Sequence, residues 1–165
     1  MNPNAEPERF LAIYLNDHLA GAMLGVELAR RLLSSNEDDP EMGAMLGGIC
    51  AEIEADRATL ERVMAQLEIP RGRLKPAAAW AAEKLGRLKL NGRLRGYSPL
   101  SRLLELESLH VGITGKLGLW RVLERSAAAD LEGFDFGQLA ERAESQRTRV
   151  EQLRLAAGAR CFPPR

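Results

Sequence analysis

The chain has only two histidines, and both sit mid-way along similar apolar segments. His18 lies in LNDHLAGAMLGVELARRLL and His110 in LESLHVGITGKLGLWRVLE. Each segment is followed by another that carries a Glu-x-x-Arg step, Glu54 to Arg57 and Glu144 to Arg147. The separations nearly match, 92 residues between the histidines and 90 between the glutamates. Imidazole and carboxylate groups can ligate a metal or pass a proton. A guanidinium does neither, but it pairs with a carboxylate through two parallel hydrogen bonds. The pattern therefore describes a helix pair used twice, with polar residues repeated at mid-helix. No catalytic motif identifies a reaction.

The elements that must position these residues follow from punctuation and periodicity. Residues 7–34 read as a first helix, opened near Pro7 and closed by SSNEDDP. A second runs from Pro40 to about Leu67 and stops before Pro70. PRGRLKP is a linker, residues 76–90 form a shorter helix, and NGRLRGYS is a turn. A third long helix starts at Ser98 or Pro99 and ends near Ser126, and a fourth covers about 135–158. CFPPR cannot continue it. No alternating strand pattern is present.

Each long helix shows a 3-4 stripe. The first has Leu11, Tyr14, His18, Gly21, Gly25, Leu28 and Leu32; the second Met42, Leu46, Ile49, Ile53, Arg57, Leu60, Met64 and Leu67. The third has Leu103, Leu106, His110, Ile113, Leu117 and Trp120; the fourth Phe136, Leu139, Ala143, Arg147 and Val150, with Ala157 nearby. Four such faces make an all-α four-helix bundle, a single domain over residues 1–165. The expected central polar layer is His18, Glu54, Arg57, Glu107, His110, Glu144 and Arg147, with Arg57 and Arg147 paired to Glu54 and Glu144. The first helix carries a second apolar strip, Ile13, Ala20, Met23 and Leu24, which calls for a second cover. Glycines 21, 25, 112, 115 and 118 are read as permitting close approach of the first and third helices.

EADRATLERVMAQL and ERAESQRTRVEQL resemble the Glu-x-x-His helices of the ferritin-like superfamily, with arginine where each histidine would stand. The resemblance covers nearly the whole chain as an architecture. It implies a ferritin-like bundle with an extra short helix between the second and third helices. It also implies a di-metal centre, from which this chain departs. A dication ~5 Å from a guanidinium is repelled by roughly 6–7 kcal/mol at an effective dielectric near 20. The favoured reading is a buried polar layer without a cofactor. The alternatives are one divalent metal on His18, Glu54, His110 and Glu144, or a small-molecule pocket among these groups.

Composition sets outer bounds. Lys plus Arg and Asp plus Glu are each 23, so net charge does not point to nucleic acid. Cys50 and Cys161 form no metal or disulfide motif. No signal peptide or membrane span is visible, and a reducing cytoplasm is the default. The connector 71–97 has eight basic residues and one acidic residue, a net +7. It reads as a solvated connector, with an anion-binding module as the rival. The resulting expectation is a non-enzymatic structural, interaction or stress-associated protein, forming a homodimer with no nucleic-acid or membrane partner. The competing class is an iron- or manganese-dependent oxidoreductase or iron-handling protein.

Overall fold

The computed structural model describes residues 5–72, 97–126 and 128–163. It contains α1 (Ala5–Ser34), α2 (Pro40–Gln66), α3 (Pro99–Leu123) and α4 (Phe136–Cys161). No strand occurs among the described residues, and none of their helices is long and apolar enough to cross a membrane. The short helix expected over 76–90 lies outside the described residues.

Local chemistry sets the helix starts. Asp39 caps α2 by accepting from the Met42 amide at 3.1 Å, with Pro40 in the first turn. Ser98 caps α3 through the Ser101 amide at 3.0 Å, followed by Pro99. Asp135 caps α4 through the Gln138 amide at 2.8 Å. Each cap satisfies an amide that the first turn leaves without a partner. Helix α3 ends at Leu123, short of the expected Ser126, because the Ser126 hydroxyl turns back onto the Leu123 carbonyl at 3.0 Å. Helix α2 closes through Glu68, whose φ of 55° lies in the left-handed region usually given to glycine.

Two apolar clusters fill the bundle. One joins the end of α1, the start of α2, the start of α3 and the end of α4, through Leu32, Leu46, Leu106 and Val150. The other joins the opposite ends, through Leu15, Met64, Trp120 and Phe136. These groupings make every helix antiparallel to its neighbours, in the order α2, α1, α3, α4 around the bundle. The chain runs up, down, down, up. Gly72, bonded to Asn16, and Tyr97, bonded to Glu105, therefore lie at opposite ends of the bundle. Of the neighbouring pairs, α3 and α4 pack most closely and α2 and α4 least.

The expected stripes of α2, α3 and α4 are buried except at Arg57, Leu67, His110 and Arg147, whereas the buried face of α1 sits about one residue away from its expected stripe. It centres on Leu15, Leu19, Val26, Ala29 and Leu32, leaving Tyr14, His18 and Gly25 half-buried and Gly21 exposed. Of the second strip on α1, Ala20 is buried and Leu24 half-buried, while Ile13 and Met23 stay exposed. The glycines also differ from expectation. A Cβ built at Gly21, Gly25, Gly112, Gly115 or Gly118 would meet nothing within 4 Å, so these glycines do not serve close contact inside the bundle.

Candidate functional site

Between the two apolar clusters lies a layer of charge. Its centre is Asp56 on α2, with a side chain 1% exposed. Lys116 on α3 donates to Asp56 Oδ2 at 2.5 Å. Gln146 on α4, fully buried, donates its amide nitrogen to the same oxygen at 3.0 Å. Arg142, one turn earlier on α4, donates to Asp56 Oδ1. Lys116 also donates to the Gln146 amide oxygen, which fixes the orientation of that amide. Every strong acceptor in the layer is used.

The layer is electrostatically tense. Burial pushes the Lys116 ammonium below the ordinary lysine range, and Asp56 opposes that shift. One carboxylate faces two cations, so the group carries a net positive charge. Arg142 is the member that reaches toward solvent. Removing Asp56 would leave the cations unmatched, a loss that costs about 3–5 kcal/mol when a buried pair is broken.

A second buried acid lies near the α1–α2 turn. Glu105 on α3 is inaccessible to solvent and sits 2.6 Å from the Arg31 guanidinium. Tyr97 donates its hydroxyl to Glu105 at 3.0 Å. Burial raises the Glu105 carboxyl above the usual range, while Tyr97 and Arg31 draw it down. The Tyr97 hydroxyl is pushed up by the same burial and by the neighbouring carboxylate.

The residues expected at the centre have other surroundings. His18 packs edge-on against the Tyr14 ring, with centroids 4.5 Å apart, and burial lowers its pKa while Asp17 raises it. Glu54 accepts from Arg30 of α1 at 2.7 Å rather than from Arg57. Arg57 is half-buried, with its Nε unpartnered among the described residues. Glu144 and Arg147 do pair, but along the outside of α4, where Arg147 holds the carboxyl below its usual range. His110 stands 3.7 Å from Glu151, and Glu107 lies 3.3 Å from Arg154. Glu151 and Arg154 are themselves paired at 2.7 Å, so Glu107 and His110 share one surface network. Among the described residues, no group of three or more His, Cys, Asp and Glu side chains is placed to hold a metal ion.

Sequence reasoning missed Asp56, Lys116 and Gln146, whose spacing Arg57 and Arg147 satisfy as well on their helices. Each stands three residues after an apolar residue and four before another: Ile53–Asp56–Leu60, Ile113–Lys116–Trp120 and Ala143–Gln146–Val150. The same polar step occurs at the same level on three helices.

No family model, curated protein or solved structure matches this chain.

Proposed function

We propose that the chain is a ferritin-like bundle in which an internal charge layer stands at the level where such folds hold metal. In this reading it is a non-enzymatic structural or interaction protein. The observation that carries the proposal is the Asp56–Lys116–Gln146 layer, with Arg142 at its edge. The up-down-down-up course with one long crossover supports the architecture, because ferritin-like bundles have one such connection. An ammonium at the centre supports the cofactor-free reading. A dication ~5 Å from it would be repelled by roughly 6–7 kcal/mol at an effective dielectric of about 20, as at a guanidinium. Asp56, the carboxylate best placed to ligate, is already occupied by three donors.

The test is metal content. Purified protein is incubated with iron, manganese or zinc, desalted and analysed for bound metal, with ferroxidase activity assayed in parallel. Substoichiometric metal and no oxidation of ferrous iron are expected. About one tightly held metal per chain, lost on His18→Ala or His110→Ala, would overturn the reading. A second measurement probes the layer itself. The triple variant Asp56→Leu, Lys116→Leu and Gln146→Leu should stay folded, since a buried polar group replaced as a whole by apolar side chains of similar volume leaves no partner stranded, Arg142 reaching solvent.

A further inference from the structure

Helix α3 presents an outward face that none of the described residues covers. Ser108, Val111, Gly115, Gly118 and Val122 recur at alternating 3-4 spacing and share that face. All five are exposed, Val111 at 69% and Val122 at 49%. No charged residue interrupts this face, because Lys116 turns inward to Asp56. The exposed face of α1 has Phe10 and Ile13, but Arg9, Asp17, Glu27 and Arg30 break it up.

The geometry points to this face of α3 as a contact with a second copy of the chain, packed antiparallel about a twofold axis at Gly115. The stripe is nearly symmetric about that residue. A twofold there brings Val111 opposite Gly118 of the other copy, and Val122 opposite Ser108. Each large side chain meets a small one, as a self-complementary twofold contact requires. A Cβ at Gly115 or Gly118 would meet open space within the monomer, so the missing side chains leave room for another molecule.

Charge selects the direction. Glu107 and Arg121 lie on one flank of the stripe near opposite ends, and Arg125 follows one turn later. Antiparallel packing sets each flank beside its own counterpart, reversed. Glu107, eight residues before Gly115, then meets the level between Arg121 and Arg125 of the other copy. A parallel twofold about the same stripe would instead set this flank beside the opposite flank of the other copy, where the exposed residue is Gly112 and no opposite charge is offered. Self-association is thus the interaction role of the preceding reading, on which it rests. Metal content tests that reading and association state tests this one, so the two can fail separately.

Sedimentation equilibrium of the full chain at micromolar concentration decides the matter. The wild type should have twice the monomer mass. Val111→Glu and Val122→Glu should be monomeric at the same concentration, with unchanged helical circular dichroism, since both sites are exposed. Ile13→Glu and Leu155→Glu, on the outer faces of α1 and α4, should remain dimeric. Gly115→Cys in a Cys161→Ser background should form a disulfide dimer on mild oxidation, because the twofold holds the two positions within the ~7 Å a disulfide spans. A monomeric wild type overturns the proposal. So does a dimer dissolved by Ile13→Glu but not by Val111→Glu. A dimer in which Gly115→Cys fails to cross-link overturns the antiparallel register.

Discussion

Helix α4 makes two seams of opposite character. Against α3 it packs closely, with Leu103 near Gly158 and Trp120 stacked on Phe136 at 6.2 Å between ring centroids. Against α2 the backbones stay apart, and long side chains cross the interval. Arg142 and Gln146 reach Asp56, and Arg149 reaches Glu52. Close packing gains from shape, and the pairs that cross it, Glu107 with Arg154 and His110 with Glu151, stay partly exposed at its edge. A wider seam admits long polar side chains, provided each finds a partner. The wider seam is thus where two fully buried polar side chains, Asp56 and Gln146, meet between α2 and α4.

The contrast can be broken most severely at its centre. Asp56→Ala should destabilise by about 3–5 kcal/mol, since Lys116 and Arg142 lose their shared carboxylate. Urea unfolding should show the midpoint falling, with the Asp56→Leu, Lys116→Leu, Gln146→Leu triple variant regaining much of the loss. A triple variant no better than Asp56→Ala would deny the layer its coupling.

Glu105 sharpens the comparison through pH. Burial raises its folded-state pKa above the ordinary glutamate value. The folded protein therefore holds that proton at higher pH than the unfolded chain does. Wild-type stability relative to Glu105→Gln should rise as pH falls through the raised value and level off below the ordinary one. Chemical denaturation of both proteins across this window checks the sign. A gap independent of pH would show that Arg31 and Tyr97 fully offset the burial.

Smaller effects follow at the margins. Glu68→Gly should stabilise by about 1 kcal/mol, because it relieves the left-handed backbone at the end of α2. Arg149→Ala, across the wide seam but half-exposed, should cost about 0.5 kcal/mol. Arg147→Ala should leave the thermal midpoint unchanged, since its partner Glu144 lies on the same exposed helix face. A large loss there would mean that Arg147 has a buried role after all.

The four helices and three of their boundaries were legible because capping groups, prolines and 3-4 spacing act locally. The buried rows were legible to within one residue. A helical stripe can advance by three or by four at each step, and apolarity chooses between the two. From Ile53 the choice is Asp56 or Arg57, and from Ala143 it is Gln146 or Arg147. Both candidates are polar at each step, so apolarity cannot separate them. Partners on other helices decide it, and those belong to the tertiary structure. Arg30 illustrates the same point by taking Glu54 away from Arg57.

The up-down-down-up course has a consequence for anything joined to this molecule. Helices α1 and α4 run in the same direction, so the start of α1 and the end of α4 lie at opposite poles. With α1 about 45 Å long by its helical rise, attachments at these two points are held apart by nearly the whole bundle. The protein is built as a strut: a pair of fluorophores at the two poles would report a fixed distance that lengthens on unfolding, and fused copies would extend in a line instead of folding back.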